Sequence, residues 1–152
     1  AMYPTAEAKK KGYDQVLWMD ALEHKYVQEC GTMNVFFIIG NTAITPDLND
    51  GTILDGVTRQ STITLLKEMG LTVEERALSI HEIIVAYKAG QLHEVFGTGT
   101  AATISMIKEL RYKDFDMKFD VSSWKTGPNI KKWVTDIREG RREDKYNWMQ
   151  KI

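Results

Sequence analysis

A glycine-bracketed loop that runs straight into a helix is the feature that most constrains how this chain can fold. The loop comprises residues 51–59 (GTILDGVTR), and residues 57–69 carry apolar side chains at helical spacing. Gly51 and Gly56 give the backbone a freedom and a close approach that side chains would prevent. The first amides of a helix lack partners within it and, with the helix dipole, they form a seat for phosphate or carboxylate. The stretch predicts either an anion site, to which the Thr58 hydroxyl adds a donor, or an ordinary loop between a strand and a helix.

The composition limits the kinds of protein to which this loop can belong. The chain has 152 residues, 43% of them hydrophobic, which is enough for one domain with its own core. Twenty basic and 21 acidic residues nearly cancel, so no net field recruits nucleic acid or membrane, and we expect small-molecule partners. One cysteine, Cys30, and three scattered histidines predict neither a disulfide nor a zinc site, which fits a reducing cytoplasm.

The remaining sequence predicts a single mixed α/β domain without repeats or linkers. Ser79, three residues before Glu82, forms a capping box that predicts a helix start. Residues 97–100 (GTGT) predict a second glycine-rich corner between two strands. Strands are predicted at residues 14–20, 26–29, 34–39, in a short run before Pro46, and at 72–76, 92–96 and 101–107. Helices are predicted at residues 5–11, 57–69 and 79–88, and from Pro128 to near Gly140.

Three groups of residues are candidates for a functional site, and each has a plainer alternative. Glu29 lies in a strand-like run, where a carboxylate faces either solvent or a cationic partner. Thr98, Thr100 and the amides of residues 99–101 either bind an anion or satisfy a turn. Arg59 is either a solvated surface residue or a neighbour of whatever the loop holds. No grouping of serine, cysteine and histidine suggests a nucleophilic triad.

Four blocks in this order resemble the larger, C-terminal domain of branched-chain amino acid aminotransferases, the pyridoxal-phosphate enzymes of fold type IV. The blocks are residues 29–34 (ECGTMN), 51–59 (GTILDGVTR), 74–76 (EER) and 94–102 (EVFGTGTAA), and Gly127-Pro128 opens the last helix as in that family. The resemblance implies an α/β fold with a mixed, pseudo-barrel-like sheet and flanking helices. It also implies that pyridoxal 5'-phosphate is the cofactor.

The resemblance assigns roles to some of the matching residues. Glu29 is implied to accept a hydrogen bond from the protonated pyridine nitrogen, which keeps the ring an electron sink. The implied cofactor-binding residues are Glu29, Leu54 on the ring face, and Gly56, Val57, Thr58 and Thr100 around the phosphate. The implied substrate-binding residues are Thr32, Thr100 and Ala101, near the substrate carboxylate. Arg59 is carried over only as a neighbour of the site.

The family pattern also contains parts that this sequence lacks. The lysine that forms the Schiff base precedes a helix resembling residues 3–12, and the family's small N-terminal domain supplies further groups to phosphate and substrate. The lysines at positions 9–11 are predicted to lie on a solvated helix face, so they do not replace that nucleophile. We therefore assign no catalytic residue and expect the chain by itself to be inactive.

The resemblance predicts an intact homodimeric enzyme that moves the amino group of leucine, isoleucine or valine to 2-oxoglutarate. Within the same fold, a D-amino acid aminotransferase or an aminodeoxychorismate lyase is the alternative. Outside enzymes, the alternative is a binding module for phosphate-bearing ligands that kept the anion seat without the lysine.

Overall fold

A seven-stranded mixed sheet organises the protein. The structure is a computed structural model that describes residues 2–49, 53, 56–99 and 103–145. The sheet contains β1 (Leu17–Met19), β2 (Val27–Cys30), β3 (Met33–Ile39), β4 (Thr42–Thr45), β5 (Thr72–Glu75), β6 (Leu92–Gly99) and β7 (Thr103–Met106). The helices are α1 (Met2–Lys10), α2 (Val57–Glu68), α3 (Ile80–Lys88) and α4 (Thr126–Arg138). A separate hairpin of β8 (Glu109–Tyr112) and β9 (Phe115–Lys118) precedes a 3-10 turn at Val121–Ser123.

The apolar strand β3 lies at the centre of this sheet. Its run of aromatic and β-branched residues suits a strand that is buried on both faces. One edge of β3 pairs antiparallel with β6, while β2 and β4 share the other edge, each through a tight hairpin. Because β4 pairs in parallel with β5, the sheet is mixed, and the fold class expected from the sequence is confirmed.

Each face of the sheet has its own apolar core. On one face, α2 and α4 pack against Phe36 and Phe96, whose rings stack across the two strands with centroids 5.5 Å apart. On the other face, α3 and the β8–β9 hairpin pack against residues such as Val35 and Phe37. Since side chains alternate along β3, Asn34 belongs to the same face as Phe36, the face that α2 covers.

The helix starts show how well local sequence signals predict this fold. Ser79 accepts a hydrogen bond from the Glu82 amide at 3.0 Å, which confirms the predicted cap of α3. Helix α2 begins at Val57, also as predicted. Helix α4 begins at Thr126 and not at Pro128, so the proline occupies the first turn, where its missing N–H costs nothing.

Other predictions need correction. The strand expected at residues 14–20 is limited to Leu17–Met19, and its residues are only half-buried. The corner predicted at residues 97–100 is wrong at residues 97–99, which continue strand β6. Their glycines serve contact and not turning, because a Cβ on Gly97 would lie 3.0 Å from the Met33 sulfur and one on Gly99 would lie 3.1 Å from its Cγ. The β8–β9 hairpin and the 3-10 turn were not predicted.

The described part of the chain was also compared with the requirements of a membrane span and of a metal site. None of its helices is long and apolar enough to cross a membrane. Among the same residues, no three histidine, cysteine, aspartate or glutamate side chains gather as a metal site would require. The candidate functional site lies on the sheet face that α2 covers.

Candidate functional site

Three polar residues form a row across the sheet on the face that α2 covers. Glu29 of β2 pairs with Asn34 of β3, and Asn34 pairs with Thr98 of β6. Directly paired residues place their side chains on the same face of a sheet. Asn34 is 6% exposed and Thr98 is 1% exposed, so two of the three polar side chains in this row are buried.

A β-bulge turns Glu29 towards this face. Trp18 pairs with Glu29 but the next residue, Met19, pairs with Val27, so Gln28 is the extra residue of the bulge. The bulge interrupts the alternation of side chains, and both Val27 and Cys30 enter the opposite core. Without the bulge, Glu29 would share the face of Val27, away from α2. The half-buried carboxylate is therefore directed by an irregularity that often marks functional sites.

The N-terminus of α2 lies directly over the middle of the polar row. A Cβ on Gly56, the N-cap residue, would lie 2.7 Å from Oδ1 of Asn34, so only glycine permits this approach. Gly56 has ordinary extended dihedrals, which means that contact and not backbone strain requires the glycine. The start of α2 and Glu29 are consequently both neighbours of Asn34 on this face.

The start of α2 also differs from the starts of α3 and α4. Ser79 caps α3, and the buried carboxylate of Glu94 accepts three backbone N–H groups at the start of α4, at 2.7 to 3.1 Å. At α2 the N-cap residue, Gly56, has no side chain to cap the helix, and no acidic residue lies in the first turn. An anion seated there would meet the first N–H groups and the positive end of the helix dipole.

A buried hydroxyl adds to the polar character of the row. Oγ1 of Thr98 is inaccessible to solvent and finds no hydrogen-bond partner in the part of the chain that the structure describes. An unsatisfied buried hydroxyl is uncommon in native proteins and often marks the position of a water or a ligand. The sequence interpretation had Thr98 in a turn, where such a hydroxyl is usually satisfied locally.

Arg59 supports the first turn of α2 from behind. Its side chain is completely buried, so the solvated surface alternative is wrong. Its Nη2 atom donates to the Pro46 carbonyl at 3.1 Å and to Oε1 of Glu75 at 2.9 Å. The guanidinium therefore connects the start of the helix to the ends of β4 and β5.

The structure places the other predicted site residues as follows. Val57 is 82% exposed at the start of α2, although it is a large apolar residue. Thr58 is half-buried in the same turn. Thr32 is exposed in the two-residue turn that joins β2 to β3. Leu54, Thr100 and Ala101 lie outside the described residues.

Cys30, next to Glu29, is not a nucleophile of this site. It points into the opposite core, and burial raises the pKa of its thiol to about 11. At neutral pH it remains a protonated thiol, whereas nucleophilic cysteines have a lowered pKa.

Sequence reasoning assigned no role to Asn34, and it left Arg59 as a bystander. The signal for Asn34 was present, because a two-residue turn at Gly31-Thr32 pairs position 29 with position 34. For Arg59 there was no such signal, since its burial depends on the distant Glu75.

Comparisons with known proteins identify the family of this chain. The sequence matches the family model described as amino-transferase class IV over residues 1–110, so the chain belongs to this family. A probable branched-chain-amino-acid aminotransferase of Staphylococcus epidermidis is 47% identical over 146 residues, which are 95% of this chain and 40% of that relative.

Solved structures of the same kind share the fold. The branched-chain aminotransferase of Thermoproteus uzoniensis with norvaline matches with a TM-score of 0.79 and 26% identity, over 98% of this chain and 45% of that one. The branched-chain amino acid aminotransferase of Thermobaculum terrenum in its pyridoxal-phosphate form matches with a TM-score of 0.75 and 31% identity, over 96% of this chain and 44% of that one. The chain thus spans about two fifths of the length of its relatives.

Proposed function

We propose that this chain forms the cofactor-binding part of a branched-chain amino acid aminotransferase. The proposed reaction transfers the amino group of leucine, isoleucine or valine to 2-oxoglutarate. The observation that carries the proposal is that a carboxylate, Glu29, and the N-terminus of α2 are both neighbours of Asn34 on one sheet face. Family membership and the names of the relatives support it.

The residues on this face fit pyridoxal 5'-phosphate. The cofactor has a basic ring nitrogen at one end and a phosphate at the other, and when bound it supplies an electron sink for the substrate α-carbon. Glu29 provides an acceptor for the ring N–H. The first amides of α2 provide donors for the phosphate, and the missing Cβ of Gly56 provides the room.

Each predicted site residue has a proposed task. Glu29 holds a proton on the ring nitrogen through charge and hydrogen bonding. The amides of Val57 and Thr58, with the Thr58 hydroxyl and Thr100, hold the phosphate, while Leu54 packs on the ring. The amides of Thr100 and Ala101 orient the substrate carboxylate, with Thr32 nearby.

The remaining groups are proposed to come from sequence that the relatives have and this chain does not span. They include the lysine that acts as nucleophile and as general acid and base, and a small domain that contacts substrate. We also propose that the enzyme works as a cytoplasmic homodimer. None of the lysines at positions 9–11 is assigned the role of nucleophile.

The substitution Glu29→Gln, made in the full-length protein that contains this chain, tests the proposal. The unsubstituted protein should transaminate leucine with 2-oxoglutarate. The variant should still bind the cofactor, but its kcat should fall by at least about tenfold, because a neutral amide no longer favours the protonated ring nitrogen. Glu109→Gln, another strand carboxylate outside this face, is the matched control and should leave kcat unchanged.

Three outcomes would contradict the proposal. Equal kcat values for Glu29→Gln and the unsubstituted protein would remove Glu29 from the site. Turnover of D-amino acids or of aminodeoxychorismate without turnover of leucine would favour the alternatives within the same fold. Cofactor binding with no transamination of any amino acid would favour a binding module.

A further inference from the structure

Three residues at the end of β5, Glu74, Glu75 and Arg76, are linked to both ends of the site, through Arg59 at one end and through Glu82 at the other. We call them the EER block. Their side chains are about 40% exposed, at 43%, 43% and 39%, so they are neither core residues nor simply solvated charges. The sequence comparison included this block in the family resemblance but gave it no task.

One arm of the EER block reaches the phosphate end. Oε1 of Glu75 accepts a hydrogen bond from the buried guanidinium of Arg59 at 2.9 Å. The same Nη2 atom donates to the Pro46 carbonyl, so the first turn of α2 is tied to the ends of two strands. A fully buried guanidinium that loses its carboxylate has to move or attract water.

The other arm reaches the ring end. Arg76 donates two hydrogen bonds to the Glu82 carboxylate, at 3.0 and 2.5 Å, and one to Glu74 at 2.8 Å. It also donates to the Ala77 carbonyl at 3.0 Å. This bidentate arrangement fixes the segment between β5 and α3 more firmly than a single ion pair would.

That segment is paired with the start of β2. The Val27 amide donates to the Leu78 carbonyl at 2.9 Å, and the Ile80 amide donates to the Lys25 carbonyl at 2.8 Å. Val27 lies two residues before Glu29, immediately before the bulge. The position of the Glu29 carboxylate therefore depends on a segment that Arg76 holds.

We propose that the EER block braces the two ends of the cofactor site at a fixed separation, an inference that rests on the proposed function. Glu75 positions the α2 amides through Arg59. Arg76 positions Glu29 through Glu82 and the 77–80 segment. These are positioning residues, because none of them touches the ligand.

The two arms can be tested separately with two ligands. Inorganic phosphate reports only the helix end, whereas pyridoxine 5'-phosphate reports both ends and has no aldehyde to react with lysines. Both are titrated into the 152-residue chain, and the amide NMR signals of Gly56 to Arg59 are followed for phosphate and those of residues 27–30 for the ring.

Glu75→Ala should weaken both ligands by a similar factor of about ten, the range that a helix N-terminus contributes to a bound anion. Glu75→Gln keeps a hydrogen-bond acceptor for Arg59, so it should restore affinity to within about threefold. If Glu75 acted only through its negative charge, both substitutions would strengthen phosphate binding, and that result would overturn the proposal. Arg59→Lys retains the charge and loses the two-way contact, so it carries the same test if Glu75→Ala does not fold.

Arg76→Ala should leave phosphate affinity within about twofold and weaken pyridoxine 5'-phosphate at least about fivefold, because only the ring end is displaced. Arg111→Ala is the matched control, since Arg111 is 43% exposed and pairs with Asp116 far from the site. Glu68→Ala is the control at the far end of α2. Equal losses in Arg76→Ala and Arg111→Ala, or equal losses for both ligands in Arg76→Ala, would refute the brace. If neither ligand shifts any of these amides in the unsubstituted chain, the proposed function fails as well.

Discussion

Glu94 offers the sharpest test of how this fold is held together. It lies in β6, 5% exposed, and its carboxylate binds the start of α4 from the sheet. Oε2 accepts from the amides of Lys125 and Thr126 at 3.1 and 2.8 Å, and Oε1 accepts from the Gly127 amide at 2.7 Å. The substitution Glu94→Gln keeps the shape of the side chain and converts one of these acceptors into a donor.

The cost follows from the three hydrogen bonds. In its better orientation the glutamine oxygen keeps the two contacts of Oε2 and turns its NH2 group against the Gly127 amide. A charge-assisted hydrogen bond contributes about 1.5–3 kcal/mol, and a buried amide left without a partner costs about 1–3 kcal/mol. We expect the free energy of unfolding to fall by about 3–5 kcal/mol, a large part of the roughly 5–15 kcal/mol typical of a domain.

Urea unfolding at pH 7, followed by tryptophan fluorescence and by circular dichroism, measures this change. Glu139→Gln is the control, because that side chain is 51% exposed and its ion pair with Arg141 should contribute less than about 1 kcal/mol. A loss below about 1 kcal/mol for Glu94→Gln would refute the reasoning. A loss equal to that of the control would show that Glu94 does not anchor α4.

Further predictions concern contact and pH. Gly56→Ala should destabilise the chain by about 1–3 kcal/mol, because the added Cβ would collide with Asn34. Adding Asn34→Ala should recover part of this loss in a double-mutant cycle, and strictly additive losses of stability would contradict the prediction. Hydrogen bonds from the amides of Tyr26, Glu23 and Lys25 lower the pKa of Asp20 to about 2. Asp20→Asn should therefore lower the free energy of unfolding at pH 7, and the difference in that free energy between variant and unsubstituted chain should vanish as the pH falls from 3.8 to about 2. Burial raises the pKa of the Cys30 thiol to about 11, so the stability that the protonated thiol contributes is complete below pH 9 and is lost as the pH rises to 11. The free energy of unfolding of Cys30→Ala should therefore fall less steeply over that range than that of the unsubstituted chain.

The parts of the fold that sequence predicts well are those specified by neighbouring residues. The Ser79–Glu82 cap and the apolar run of β3 depend on local chemistry, and both appear as predicted. The β8–β9 hairpin was missed because its turn, at Lys113 and Asp114, contains no glycine or proline. Lys113 adopts a φ of 54°, a left-handed conformation that lysine seldom takes and that the neighbouring residues do not predict.

The direction of Glu29 illustrates the same limit within the site. Simple alternation places it with Val27, on the face away from α2, and only the β-bulge at Gln28 reverses this. A bulge depends on the register of the partner strand, which a single strand's sequence does not contain. The family resemblance singled out Glu29 from its motif alone and made no prediction about the face of the sheet on which it lies. The burial of Arg59 was likewise hidden, since its partner Glu75 follows it by 16 residues.

The contrast between the two helix N-termini links the stability of this fold to its ligand. At α4 the chain supplies its own carboxylate, so that helix start is satisfied whether or not anything is bound. At α2 the N-cap residue is Gly56, which has no side chain, and no acidic residue lies in the first turn. An anion that binds there adds stability by mass action, about 2.7 kcal/mol at a hundred times its dissociation constant. Phosphate should therefore raise the unfolding midpoint of the unsubstituted chain, and it should raise that of Glu94→Gln by a similar free energy, because the two seats are separate. A midpoint that phosphate leaves unchanged in both proteins would mean that the start of α2 is not an anion seat.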